Sequence, residues 1–412
     1  MATDNDRTLL VTVTGRDRPG VTSALFGALA GADIEVVDVE QVVIRGRLVL
    51  GVLISIGEGQ DEVAVRAEIA EVAEHLGMDV EVAAGAGEDE APPLSGRLHV
   101  TVLGHPLRPA AVATVAARIA GCGGNIDRIT RLSRYPVTSL ELDLSGTGDP
   151  ARLRRELVAE AALGGFDIAV QPAGLHRRAK RLVVMDVDST LIQAEVIELL
   201  AERAGQGAEV ARVTEAAMRG ELDFEASLRQ RVKLLAGLPV EAVEEVRRAV
   251  VLTPGARTLV RTLQRLDHEI AVVSGGFTQV TDALVADLGL DYAAANTLEV
   301  ADGRLTGGLV GPIIDRAGKA AALERFAAAA GVPLAQTVAI GDGANDLDML
   351  ARAGLGVAFN AKPVVREAAE VSLNVPYLDA ILFLLGISRE EVEEADAGEV
   401  HLPPPRHAPP GV

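Results

Sequence analysis

The chain has no tryptophan, a single cysteine, and aromatic residues at only 2% of its length. One cysteine, Cys122, excludes an internal disulfide, and so low a thiol content fits a reducing cytosol. With so few rings the core must be aliphatic, and at 49% hydrophobic residues it can still be sizeable. Positive charge is also short: 39 Lys and Arg face 59 Asp and Glu, a formal charge of −20. That balance argues against nucleic acid or an anionic membrane as a partner. It also repels any anionic ligand, so a site for one must gather its own cations. No apolar run approaches the roughly 18 residues of a membrane span. The start, Met1-Ala-Thr-Asp-Asn-Asp-Arg7, is polar and acidic and does not read as a signal peptide. A cytoplasmic location is the expectation.

The 412 residues allow two or three domains. The N-terminal part carries a weak internal repeat. Leu9-Leu-Val-Thr-Val-Thr-Gly15 reads like Leu98-His-Val-Thr-Val-Leu-Gly104, and each is followed by helix, two strands, helix and strand. In the first copy Val21, Leu25 and Leu29 share one helical face, with Pro19 expected in the first turn. Strand-like runs at Ile34–Ile44 and Leu48–Ile56 flank a turn at Arg45-Gly-Arg47. The order βαββαβ is the ferredoxin-like plait. This assigns residues 1–85 and 97–172 to two small domains, joined by an acidic linker bearing Gly and Pro from Ala84 to Gly96. A third, α/β domain is expected over 180–388, with a helical insertion at about 193–251 and a hairpin around Asp302-Gly303. The stretch 389–412 reads as an acidic and Pro-rich tail, with its end from His401 onward disordered.

The apolar run Arg181-Leu-Val-Val-Met-Asp-Val-Asp-Ser-Thr190 ends in two acids one residue apart. Asp186 and Asp188 can converge on one pocket at the strand's C-terminal end, where open α/β sheets bind ligands. One carboxylate can attack a phosphorus and the other can handle protons, with a divalent cation between them. Later strands end in Val272-Val-Ser-Gly-Gly276 and Gly341-Asp-Gly-Ala-Asn-Asp346, and Lys319 opens a helical segment. The hydroxyl of Ser274 and the main chain at Gly275 can cradle phosphate oxygens. Asp342 and Asp346 supply further oxygens for a hard cation. Other readings fail on spacing. A calcium loop would need Gly at its sixth position and Glu where Ile197 stands. A Walker loop would need Gly at Ile313, and a dinucleotide fingerprint would need Gly at Asp346.

These four ordered motifs resemble the haloacid dehalogenase-like phosphatases over residues 181 to about 386. The cap spacing Met218, Phe224, Arg231 narrows the resemblance to the phosphoserine phosphatase branch. The two N-terminal repeats resemble ACT domains, a layout similar to that of actinobacterial members. The resemblance implies a Rossmann-like parallel sheet with a helical cap behind two ACT domains. It implies Asp186 as nucleophile, and Asp188 as the group that protonates the leaving serine oxygen and then activates water. Mg²⁺ would be held by Asp186, the Asp188 carbonyl and Asp342, with Asp346 orienting a water. Lys319 would stand beside the phosphate. Glu195 would pair with a substrate ammonium, Arg231 would grip its carboxylate, and Asn345 would help to hold it. The turn Asp17-Arg-Pro-Gly20 matches the ACT ligand turn, whereas Leu107-Arg-Pro-Ala110 in the second copy lacks the glycine.

The implied activity is hydrolysis of O-phospho-L-serine through an aspartyl-phosphate, the last step of L-serine synthesis. Serine would act as regulator, and the chain would be a homodimer. Two alternatives accompany it: phosphoryl transfer to another amino alcohol, and an amino-acid sensor with an inert phosphatase-like domain. The intact Asp186, Asp188, Lys319 and Asp342 weigh against the inert sensor.

Overall fold

The computed structural model describes residues 7–30, 33–57, 59–85, 97–174, 177, 179–219, 221–369 and 371–398. Most of the interdomain linker, and the end of the tail where disorder is expected, lie outside them. The chain divides into two compact units, Met1–Pro92 and Pro93–Val412.

The first unit is a four-stranded antiparallel sheet with two helices on one face. Its strands are β1 (Arg7–Arg16), β2 (Ile34–Ile44), β3 (Arg47–Ile56) and β4 (Asp79–Gly85), in the order β2-β3-β1-β4. Period-two burial on β1 and β3 sends Val11, Val13, Val52 and Ile54 against Leu25 of α1 (Val21–Leu29) and Ile69 of α2 (Glu62–His75). The β2–β3 turn places Arg45 and Gly46 at positive φ, as a two-residue hairpin requires. Pro19 does not open the helix. Gly20 is the N-cap at φ 100°, a left-handed conformation that separates Pro19 from the first turn at Val21. In the second copy Pro109 does occupy the first turn, of α3 (Pro109–Gly121), with Arg108 as an extended cap.

The second copy contributes β5 (Leu98–Gly104), β6 (Asn125–Ser133), β7 (Thr138–Ser145), α4 (Pro150–Gly164) and β8 (Asp167–Pro172). Its strand order β8-β5-β7-β6 repeats that of the first unit, but here the sheet continues into the α/β part. Ser372 of β15 (Val371–Leu373) pairs with Ile168. The carboxylate of Asp167 accepts from Asn374 N and Nδ2, both at 2.7 Å, and from Val375 N at 3.1 Å. An eleven-stranded sheet results.

The α/β strands are β9 (Leu182–Asp186), β10 (Glu269–Phe277), β11 (Tyr292–Ala301), β12 (Arg304–Val310), β13 (Thr337–Gly341) and β14 (Gly356–Phe359), followed by β15. Their order is β12-β11-β10-β9-β13-β14-β15, parallel except for the β11–β12 hairpin. Setting β12 aside, this is doubly wound topology, and the chain reverses direction beside β9. Alternate residues of β9 serve the two faces. Val183 and Met185 enter the core that includes the cap, while Leu182 and Val184 meet Leu323 and Phe326 of α11 (Arg316–Ala329). Between β9 and β10 lie four cap helices, α5 (Val196–Arg203), α6 (Gly207–Met218), α7 (Phe224–Lys233) and α8 (Val240–Ala249). Asp302 and Gly303 form the predicted hairpin turn, both at positive φ. The acidic stretch after Ser388 begins as a helix, Arg389–Gly398, with Val392 buried. Among the described residues no helix is long and apolar enough to cross a membrane.

Candidate active site

Every residue of β9 is buried, and the chain leaves it through a tight turn at Val187–Leu191 in which Ser189 takes φ 60°. Asp186 is therefore delivered to the switch point of the sheet, where Asp342 arrives from the end of β13. Helix α11 starts beside them, capped by Asp315, whose Oδ1 accepts from Gly318 N at 2.7 Å. Its fourth residue, Lys319, is 1% exposed and donates to Asp186 Oδ1 and Asp346 Oδ1, both at 2.7 Å. The other oxygen of Asp346 accepts from Gly343 N at 2.9 Å. Thr190 Oγ1 donates to Asp342 Oδ1 at 3.1 Å. Carboxylate oxygens of Asp186, Asp342 and Asp346 all lie within 4.8 Å of one another.

Burial raises the Asp186 pKa well above the usual carboxylate range and Asp346 adds to the rise, while Lys319 opposes it. Burial, then Asp346, pushes Asp342 up to about 6. Burial also disfavours the Lys319 ammonium, but Asp186 and Asp346 outweigh it and hold the lysine above its ordinary value. The protein's own groups therefore leave these acids short of positive charge. A hard divalent ion bound through oxygens fits this donor set.

Asp188 is held on both sides. Oδ1 accepts from Val196 N, the first residue of α5, at 2.8 Å, and Oδ2 accepts from Ser274 Oγ at 2.9 Å. Ser274 Oγ in turn accepts from Gly276 N at 2.7 Å. A Cβ at Gly276 would lie 2.7 Å from Asp188 Oδ2, so only glycine permits this approach. Burial, then Glu195, lifts the Asp188 pKa to about 6. That value suits a group that must both give and take a proton near neutrality.

The cap closes over this floor. Glu195 is the N-cap of α5, and its Oε1 accepts from Ser189 Oγ at 3.0 Å. Phe224 opens α7 and its ring reaches Gly275, where an added Cβ would meet it at 3.0 Å. Arg231 lies two turns further along α7, on the same face. Burial lowers its pKa, against Glu195, Glu198 and Asp188. Among the described residues its one hydrogen bond is a long one, from Nε to Ser227 O at 3.4 Å, and it pairs with no carboxylate. Met218 ends α6. Asn345 stands beside Gly343, and its amide makes no hydrogen bond among the described residues.

Sequence reasoning missed Ser189, Thr190 and Gly276. The first two lie inside the Asp-x-Asp-Ser-Thr run and carry no signal of their own. Gly276 ends the Val272–Gly276 motif, but its close approach to Asp188 comes from a long-range meeting of β9 and β10.

In the first unit, Asp17, Arg18, Pro19, Gly20, Val21, Thr22, Ser23, Gln41 and Leu48 line a cavity of about 360 Å³ at the start of α1. Thr22 Oγ1 donates to Gln41 Oε1 at 2.8 Å across it.

Fold and site together define a hydrolase of the haloacid dehalogenase type, with a helical cap over an acidic site. Residues 183–351 match the haloacid dehalogenase-like hydrolase family, and residues 7–83 and 98–171 each match an ACT domain family. The chain is 63% identical to a phosphoserine phosphatase of Streptomyces coelicolor, over 94% of each chain. It is 53% identical to one of Mycobacterium tuberculosis, over 95% of this chain and 96% of the relative. A solved structure of a probable phosphoserine phosphatase from Vibrio cholerae matches with a TM-score of 0.57 at 35% identity, over 72% of this chain and 88% of that one. The chain belongs to the phosphoserine phosphatase family. Phosphatases of the haloacid dehalogenase class are metal-dependent, and the acids gathered here can form such a metal site.

Proposed function

We propose that the chain is a Mg²⁺-dependent phosphoserine phosphatase, hydrolysing O-phospho-L-serine to L-serine and phosphate in the last step of L-serine synthesis. The observation that carries this is the pairing of two features. A buried Asp186–Lys319–Asp346 array supports a nucleophile, and above it Arg231 is partly buried and without a carboxylate partner among the described residues. Arg231 then receives the substrate carboxylate, Glu195 its ammonium, and the Ser274–Gly276 loop with Lys319 its phosphoryl group.

Asp186, the Asp188 main-chain carbonyl and Asp342 would hold Mg²⁺, which supplies positive charge for the phosphoryl oxygens. In the first step a carboxylate oxygen of Asp186 bonds to phosphorus. The bond from phosphorus to the seryl oxygen breaks, and that oxygen takes the Asp188 proton. Lys319, fixed to Oδ1, orients the nucleophile and offsets charge that builds on the phosphoryl group. In the second step Asp188 accepts a proton from water, water oxygen bonds to phosphorus, and the bond to Asp186 breaks. Phosphate leaves, and Asp186 is regenerated.

The cavity at Asp17 and Gly20 is the reading for a regulatory serine. Free N–H groups at the start of α1 suit its carboxylate. The ACT pair is the expected site of homodimer formation. The chain is read as a cytoplasmic enzyme.

A phosphate-release screen over small phosphomonoesters, with and without Mg²⁺, tests the activity. Phosphoserine should exceed every other substrate in kcat/KM and require the cation. A better substrate without an α-amino acid would overturn the assignment. Light scattering reads the subunit count.

A further inference from the structure

Asn296 lies on β11, is 2% exposed, and belongs to none of the motifs above. Nδ2 donates to Gly275 O at 2.9 Å, and Oδ1 accepts from Ile314 N at 2.8 Å. The second bond fixes the orientation of the amide, because a main-chain N–H can only donate. One partner lies in the Ser274–Gly276 loop. The other stands one residue before Asp315, the cap of the helix that carries Lys319.

The sheet register explains why a side chain is needed here. Val273 pairs with Ala294 and Phe277 with Asn296, so three residues of β10 oppose a single residue of β11. Residues 274–276 therefore leave the ladder, and the Gly275 carbonyl loses its strand partner. A buried carbonyl without a partner is costly, and Asn296 supplies the bond. The same peptide presents Gly276 N–H to Ser274 Oγ, which donates on to Asp188 Oδ2.

We infer that Asn296 is a positioning residue for the phosphate loop. Its carboxamide sets the plane of the Gly275–Gly276 peptide, and with it the Ser274 hydroxyl, and ties that loop to the approach of the lysine helix. It touches no reacting atom. The inference rests on reading Ser274–Gly276 as the phosphate loop.

The test is Asn296→Asp, isosteric but with an oxygen facing the Gly275 carbonyl, with Asn296→Ser as the uncharged companion. A misplacement of about 1 Å costs on the order of 100-fold, so kcat/KM should fall roughly 10- to 100-fold. The loss should be equal on phosphoserine and p-nitrophenyl phosphate, since both present a phosphoryl group. The dissociation constant of inorganic phosphate, read by calorimetry with Mg²⁺, should rise about tenfold or more, with the Mg²⁺ midpoint unmoved. If the Asp variant does not fold, the Ser variant carries the same expectation. Phosphate affinity within twofold of the parent in a folded Asn296 variant overturns the inference. Ser274→Ala, run alongside, separates the cases. If it weakens phosphate while the Asn296 variants do not, only the inference fails; if neither does, the loop assignment fails as well.

Discussion

Arg231→Ala should separate recognition from chemistry. The guanidinium of Arg231 is largely desolvated, has one long bond to Ser227 O at 3.4 Å, and has no carboxylate partner among the described residues. It is only partly exposed, and no carboxylate among the described residues takes its charge. The free enzyme should therefore lose little when it is deleted, with stability unchanged within about 1 kcal/mol or slightly raised. In the complex a buried charge-assisted pair would be lost, which costs roughly 2–5 kcal/mol. At about 1.4 kcal/mol per decade this is a 30- to several-thousand-fold fall in kcat/KM on phosphoserine. Phosphoethanolamine keeps the ammonium and phosphate but has no carboxylate, and p-nitrophenyl phosphate has neither charge. Steady-state kinetics on all three, beside a thermal melt, reads the effect. Rates on the two control substrates should stay within a few-fold of the parent. An equal loss on all three would mean that Arg231 serves the phosphate or the fold, and the recognition argument would be refuted.

Three further outcomes follow from the same geometry. Asp186→Asn should abolish turnover and beryllofluoride trapping, because an amide oxygen forms no acyl phosphate; substantial residual activity would remove the covalent route. Asp188→Asn should abolish turnover yet stabilise the metal-free protein, because burial raises the Asp188 pKa to about 6. The folded state holds that proton more tightly than the unfolded chain. The wild-type penalty is therefore absent below about pH 4, grows through pH 6, and is full above it. Allowing for the partly open carboxylate, the variant's gain at pH 7 is roughly 1–3 kcal/mol, and urea titrations with chelator at pH 4 and pH 7.5 should show the gain only at the higher pH. Gly20→Ala should cost about 1 kcal/mol, since φ is 100° there, and should weaken serine binding measured by calorimetry; unaltered binding would move the regulatory site elsewhere.

Much of this was legible because local chemistry and global fold agree. An apolar run ending in Asp186 and Asp188 reads as a buried strand that delivers acids to its end, and the later motifs agree with it. Asp302-Gly303 between β-type runs is a turn at positive φ, as observed. What was not legible depends on distant partners. Pro19 reads as a helix opener until Gly20, at φ 100°, takes the cap. Asp167 looks like the acid after a Gly-Gly-Phe turn, yet it carries the junction between β8 and the end of β15, through residues more than 200 positions away. Asn296 looks like any residue at the start of a hairpin. Its role follows from a ladder irregularity that only the pairing of β10 with β11 reveals.

The charge arrangement also links the ligands to one another. Asp186, Asp188, Asp342 and Asp346 share one buried cation, Lys319, within a chain of formal charge −20. A phosphate dianion entering that site meets net negative charge, and burial, with neighbouring acids behind it, already raises the pKa values of Asp186, Asp188 and Asp342. Divalent cation and phosphoryl group must therefore favour each other's binding, and thermodynamic reciprocity makes the factor the same in both directions. Protons compete with the cation for the same oxygens, so cation affinity should fall as pH drops through about 6. Arg231 stands apart from this coupling. It lies on the cap, and in the proposed reading it takes the substrate carboxylate, so deleting it should leave the cation–phosphate factor intact while the preference for phosphoserine collapses. In that reading, recognition of the amino acid and activation of the phosphate fall to different elements, α7 above and the strand ends below. That division explains how one phosphoryl-transfer floor can serve a substrate defined by its other end.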